Sequence, residues 1–225
     1  MIKEKLKRGT VLYKIYLIYH LFIRYKIFLR KRKSFSQFNE DLFINEFFKN
    51  KKIGKYVDLG AFHPMRLNNT YLLYKRGWSG TNIDLNPTSI DMFNYVRKRD
   101  INICALISNE DGIEKKAYFQ HDWSAGNTTI LDSDFEKVLT NERSMVSRTF
   151  DKLVTHDFDF LNIDLEGHDY QVLKTIDFNK YNPKLICIEI LQKSADGEKI
   201  FNFMKSNNFK FIKQCDVSYF FERKL

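Results

Sequence analysis

Cysteine, proline and glycine are all scarce in this chain of 225 residues, which has 3 Cys, 3 Pro and 9 Gly. Cys104, Cys187 and Cys215 form an odd set far apart in sequence, with no C-x-x-C pair, so neither a disulfide framework nor a zinc or redox spacing is present. They read as reduced, buried thiols of a cytoplasmic protein. The few Gly and Pro exclude collagen-like and linker-like sequence, and 44% hydrophobic with 16% aromatic residues excludes disorder. Long apolar runs are missing as well. Near the N-terminus the longest stretch without Lys, Arg, Asp or Glu is residues 15–23, whereas a membrane-crossing helix needs about 20 apolar residues. Arg24, Tyr25 and Lys26 follow it in place of a small-residue cleavage site, which argues against a secretory signal. What remains is one globular domain, long enough for a single core to bury roughly 70% of the unfolded surface without staples.

Charge of one sign is also unevenly spread. The net charge is +9, yet residues 1–33 hold 11 of the 37 Lys and Arg and only Glu4 among the 28 acids, leaving 26 basic and 27 acidic residues for the rest. A neutral body makes nucleic acid an unlikely partner, since phosphate binding needs clustered cations. Within the basic segment Val11, Ile15, Ile18, Phe22, Tyr25 and Leu29 recur at steps of three and four, predicting a helix with one apolar stripe. Two readings stay open for residues 1–33: an interfacial helix on an anionic membrane leaflet, or a helix packed on its own domain or on a second copy in a homo-oligomer.

From residue 34 onward, short apolar runs alternate with helix-like segments, the rhythm of a parallel sheet covered on both faces. Strands are expected at 55–59, 81–85, 102–107, 158–165 and 185–191, with helices at 89–98, 170–174 and 197–206 and an antiparallel pair at 209–213 and 217–222. The fold class is α/β: a doubly wound, mostly parallel, Rossmann-like seven-stranded sheet over residues 34–225, with the helical extension 1–33 before it. Residues 113–121 read as a hairpin and 125–147 as a polar insertion that would cover the catalytic face, with His121 and Trp123 leading into it.

Ligands of such sheets bind at the carboxyl ends of the strands. A dinucleotide fingerprint G-x-G-x-x-G is absent, Gly60 being the lone glycine after the first strand, and no G-x-x-x-x-G-K-[ST] loop occurs. Asp58, Gly60 and, 26 residues after Asp58, Asp84 instead suit a ligand without pyrophosphate. The Gly60 turn permits close approach of an aminoacyl chain, and Asp84 accepts from two ribose hydroxyls. S-adenosyl-L-methionine (SAM) is such a ligand.

Ser36, Gln37, Glu40 and Asp41; YVDLGAFHP at 56–64; Asn69 to Tyr74 followed by Gly77, Trp78, Ser79 and Gly80; Asn82, Ile83 and Asp84; and DFLNIDLEGHDYQVL at 159–173 together resemble the FkbM family of SAM-dependent methyltransferases. The resemblance covers roughly residues 34–191 and implies the class I methyltransferase fold. It implies that Asp58, Gly60 and Ala61 surround the methionine part of SAM and Asp84 the ribose. Cys104 and Ala105 would lie beside adenine, and Gln37 with Asp41 would help close the cofactor site. A second small residue usual after the first strand is missing, since Phe62 and His63 stand there.

Methyl transfer to a weakly acidic hydroxyl needs alignment and either a base or a divalent cation such as Mg2+. Asp164, Glu166, His63 and His168 are the catalytic candidates, Asp164 and Glu166 also the metal candidates, and Glu189 in an apolar strand calls for a partner. The expected activity is O-methylation of a sugar hydroxyl in surface polysaccharide or glycolipid synthesis, by a cytoplasmic enzyme that would sit at the inner face of the membrane if residues 1–33 take the interfacial reading. The alternatives are a nucleic-acid methyltransferase, against which the neutral body and the lack of an Asn/Asp-Pro-Pro-aromatic motif argue, and a non-catalytic SAM-binding subunit of a glycan-assembly complex.

Overall fold

Tyr56 and Asp58 point to one side of their strand, Val57 and Leu59 to the other, and all four are buried, as in a central strand covered on both faces. The computed structural model describes residues 7–24, 32–119, 128–129, 141–191 and 196–224. Along the chain run α1 (Val11–Ile18), continued by a π-helical turn at Tyr19–Ile23, α2 (Glu40–Phe47), β1 (Lys55–Leu59), α3 (Tyr71–Lys75), β2 (Ser79–Asp84), α4 (Pro87–Val96) and β3 (Ile101–Cys104). There follow β4 (Leu106–Ile107), β5 (Glu114–Phe119), β6 (Thr128–Thr129), β7 (Asn141–Arg148) and α5 (Phe150–Leu153). The last part holds β8 (Phe160–Ile163), α6 (Asp169–Leu173), β9 (Leu185–Glu189), α7 (Gly197–Ser206), β10 (Phe209–Cys215) and β11 (Ser218–Arg223).

Seven strands form the main sheet in the order β10-β11-β9-β8-β1-β2-β3. All neighbours are parallel except β11, which runs antiparallel to both β9 and β10. The chain starts at β1, winds out through β2 and β3, then returns to β8 on the other side of β1, so the switch point lies between β1 and β8. One face of the sheet packs Val57, Leu59, Ile83, Leu161 and Ile188 against Phe150, Val172 and Ile200 from α5, α6 and α7. The other packs Tyr56, Phe160, Leu185 and Phe220 against Ile44, Phe48, Leu73 and Trp78 on α2, on α3 and in the loops after them.

Three expectations change. Residues 114–119, expected within a hairpin, form the single strand β5, paired with β6 and β7. The run 102–107 is not one strand: Ala105 donates its N–H to the Asp84 carbonyl at 3.1 Å, and the chain then leaves for a second sheet of order β4-β7-β5-β6. Within 125–147, residues 141–147 belong to the eight-residue strand β7, which pairs along β5 from Glu114↔Val146 to Phe119↔Asn141. Six of its eight residues are polar and burial alternates along it, so pairing rather than apolar periodicity makes it a strand. His121 and Trp123 lie outside the described residues.

Candidate active site

The chain turns sharply where β1 ends. Gly60 and Ala61 donate their N–H groups to the Ile83 carbonyl at 2.9 and 3.2 Å, and Asp164 donates its N–H to the Leu59 carbonyl at 3.1 Å. Gly60 has φ 75°, and a Cβ built there would stand 1.7 Å from the Asp164 carbonyl oxygen. Glycine is required here because the chain leaving β8 fills the space of a side chain. The turn therefore locks β1 to β8, whereas the sequence reading gave that space to the ligand.

On the β1–β2 side, every carboxylate is held. Asp58 accepts from Asn162 Nδ2 at 2.9 Å, Thr70 Oγ1 at 2.9 Å and Asn68 Nδ2 at 3.2 Å. Burial raises its pKa, while these donors and the Arg97 guanidinium oppose the rise. Arg97, itself wholly buried, donates to Asn68 Oδ1 at 2.6 Å, Tyr56 Oη at 2.9 Å and the Pro64 carbonyl at 2.9 Å, and stands 3.5 Å from Asp100. Asp58 is thus enclosed in a network beneath the edge rather than open to a ligand. Asp84 reaches the edge: Phe62 N–H donates to one of its oxygens at 2.8 Å and Asn86 N–H to the other at 2.7 Å. Burial pushes its pKa up to about 6 against those two donors.

The remaining candidates on this side divide. Ala61 is buried at the turn, and Cys104 is exposed at the end of β3, its thiol 3.6 Å from the Leu85 carbonyl, with Ala105 half-buried beside it. All three cysteines are free, and of them only Cys187 is buried, a correction to the expected buried set. Asp41 is wholly buried and accepts from Ser34 Oγ at 2.6 Å, Ser36 Oγ at 2.8 Å and Phe35 N–H at 2.7 Å, so it orders the loop before α2, while Gln37 is exposed. His63 is wholly buried, its Nδ1 accepting from Met65 N–H at 3.1 Å, and burial lowers its pKa to about 3. That places a neutral imidazole in the interior, not the acid or base expected on the open edge.

On the β8–β9 side the carboxylates face one another. Ile163 pairs with Ile188, which brings Asp164 and Glu189 side by side as the two strands end. Asp164 is exposed, and its carboxylate makes no hydrogen bond with the described residues; partial withdrawal from water raises its pKa well above the ordinary value, and Glu189, Asp169, Glu166 and Asp58 raise it further. Glu189 is raised to about 8, first by burial and then by Asp169 and Glu166, and its Oε2 is buried without a hydrogen-bond partner among the described residues. Glu166, raised by burial and by Asp169, has φ 51° and is followed by Gly167 at φ 94°, so two left-handed residues in succession shape the loop. Asp169 holds that loop, accepting from Leu165 N–H at 2.9 Å and Gly167 N–H at 3.0 Å. His168 is buried, with Nε2 3.2 Å from Ser108 Oγ, and burial lowers its pKa to about 4, Lys115 and Lys174 adding to the effect.

Among the described residues no group of three or more His, Cys, Asp and Glu side chains is arranged to hold a metal ion. The expected divalent cation at Asp164 and Glu166 therefore lacks a ligand set. The sequence reading left Asn68, Thr70, Asn162 and Arg97 without roles. Asn162 carried a signal, an amide inside an apolar strand that must find a partner when buried. Arg97, in the basic run Arg97, Lys98, Arg99, carried none.

The strand order, the single antiparallel strand and the switch point at β1 and β8 define a class I methyltransferase fold. The model of the methyltransferase FkbM domain matches residues 58–211, and the chain belongs to that family. The crystal structure of methyltransferase FkbM from Methylobacillus flagellatus KT is similar at TM-score 0.52 and 14% identity, over 76% of this chain and 44% of that one. This chain thus spans less than half of that protein. A TehB-like SAM-dependent methyltransferase from Corynebacterium glutamicum aligns at TM-score 0.47 and 11% identity, covering 82% of this chain and 87% of its own. The 1,6-didemethyltoxoflavin-N1-methyltransferase of Burkholderia thailandensis, solved with 1,6-didemethyltoxoflavin and S-adenosylhomocysteine, aligns at TM-score 0.42 and 11% identity, over 81% and 74% of the two chains. No curated protein matches in a sequence comparison.

Proposed function

We propose that the protein is a SAM-dependent O-methyltransferase whose acceptor is a sugar hydroxyl, in the synthesis of a surface polysaccharide or glycolipid. The observation that carries the reading is electrostatic. In a chain of net charge +9, Asp84, Asp164, Glu166 and Glu189 gather at the carboxyl edge, and the groups around Asp164 raise its pKa. Such an edge suits a ligand bearing an ammonium and a sulfonium and rejects phosphates. Each Asp84 oxygen accepts one backbone N–H and keeps a lone pair for a ribose hydroxyl. Bound SAM supplies an electrophilic methyl group. The chain aligns the acceptor and takes its proton, for which the Asp164 and Glu189 pair is suited, with Glu189 poised near pH 8. Neighbouring carboxylates are also good acceptors for the vicinal hydroxyls of a sugar.

The test is incubation of the purified chain with methyl-labelled SAM and bacterial glycan and nucleic-acid extracts, with and without EDTA. Label in a glycan fraction, retained in EDTA, is expected. Label confined to nucleic acid would overturn the acceptor, and SAM binding without transfer to any fraction would return the non-catalytic alternative.

A further inference from the structure

Helix α1 carries two apolar faces. Tyr13, Leu17 and Leu21 point inward and pack on Met65 and Met92. Thr10 caps the helix, accepting from Tyr13 N–H at 3.3 Å, and the helix is pinned there by Arg8, which donates to both Asp91 oxygens at 2.8 and 2.7 Å, and by Tyr13 Oη, which donates to Asp91 at 2.7 Å. Of the stripe seen in sequence, Val11, Ile15 and Ile18 face the other way, Phe22 packs partly on the inner cluster, and Tyr25 and Leu29 lie outside the described residues. Val11 is 72% exposed, Ile15 57% and Ile23 61%, with Leu12, Ile18 and Tyr19 beside them. Of the fifteen exposed large apolar side chains among the described residues, these six lie within residues 11–23. A contiguous exposed apolar face of this kind marks an interaction surface.

The charge around it selects the occupant. Residues 1–33 hold 11 basic side chains and one acid, and Lys14 stands exposed on the helix itself. A second copy laid on the stripe would bring two strongly positive segments together, and a nucleic acid offers no apolar layer for Val11, Ile15 and Ile23. An anionic bilayer offers both an apolar layer and negative charge. We propose that α1 docks the protein on an anionic membrane surface, lying in the interface with its outer stripe inserted and α4 behind it. Because Arg8 and Tyr13 contact Asp91 in the helix that starts three residues after Asp84, docking holds the carboxyl edge of the sheet beside the lipid.

Sedimentation of the full chain with vesicles of phosphatidylglycerol and phosphatidylethanolamine, and with vesicles of phosphatidylcholine alone, tests this without reference to methyl transfer. Binding to the anionic vesicles, weakened by salt and lowered at least about tenfold in Ile15→Asp/Ile23→Asp, is expected. The control Ile53→Asp, at an exposed site away from α1, should bind as the native chain does, and melting curves should show all three folded. Absence of anionic-vesicle binding, equal binding by the double variant, or a lipid-free dimer that the double variant dissolves would overturn the proposal.

Discussion

Asp58 and Asp164 stand at the ends of neighbouring strands, and their surroundings are opposite. Asp58 is enclosed by Asn68, Thr70 and Asn162, with Arg97 behind Asn68. The Asp164 carboxylate makes no hydrogen bond with the described residues and is surrounded by Glu189, Asp169, Glu166 and Asp58. The first arrangement spends its donors on fixing where β1, β8 and the segment before α3 meet. The second leaves charge unresolved, which costs stability and is useful only to a partner that brings positive charge or a proton. Scaffold and proposed chemistry thus divide between Asp58 and Asp164.

Substitution should break this contrast most strongly at Asp58. Asp58→Ala removes the buried acceptor shared by Asn162, Thr70 and Asn68 and leaves Arg97 less compensated, a loss of about 3–5 kcal/mol in urea unfolding. Asp164→Ala removes a repelled carboxylate and should change stability by no more than about 0.5 kcal/mol, or raise it. Equal losses in the two variants would erase the distinction between scaffold and chemistry.

The same contrast explains what sequence could and could not convey. Periodicity places β1, α7 and the final hairpin closely, because their apolar faces pack on the core. Asp84, Asp164 and Glu166 are legible as acids at strand ends. Which acids are already satisfied is not legible, since Asp58 and Asp41 owe their enclosure to Asn162, Thr70 and Ser34, residues whose approach depends on the folded loops. Gly60 is legible as a glycine with a purpose, but the purpose belongs to the Asp164 carbonyl, 104 positions on. The stripe of α1 misleads in an instructive way: apolar periodicity reports a face that avoids water, and here the packed face is Tyr13, Leu17 and Leu21 instead.

Activity sharpens the comparison next. Glu189→Gln keeps the shape of the side chain and removes the proposed base, so kcat with the proposed glycan acceptor should fall about 10²-fold with SAM affinity little changed. Asp84→Asn should do the reverse, weakening SAM binding about tenfold in calorimetry through the lost charge-assisted hydrogen bonds to ribose. A Glu189→Gln enzyme with native kcat would move the proton acceptor to Asp164 or Glu166.

The smallest effect is a pH dependence of stability. The Glu189 carboxyl goes from an ordinary 4.5 to about 8 in the native protein. Between those values the unfolded chain has released the proton and the native chain retains it, so the unfolded state binds fewer protons and stability falls as pH rises. Below pH 4.5 the group is neutral in both states and costs nothing; above pH 8 it is ionised in both and the penalty is complete. Glu189→Gln lacks this penalty. Its stability relative to the native protein should therefore increase with pH across that window, by about 1–2 kcal/mol after allowance for the half-buried position. Asp58→Asn should instead lose stability at both ends of the window, because an amide NH2 then replaces one of the acceptor oxygens that Asn162, Thr70 and Asn68 donate to, and parallel urea midpoints for the two variants at the two ends of the window decide the matter.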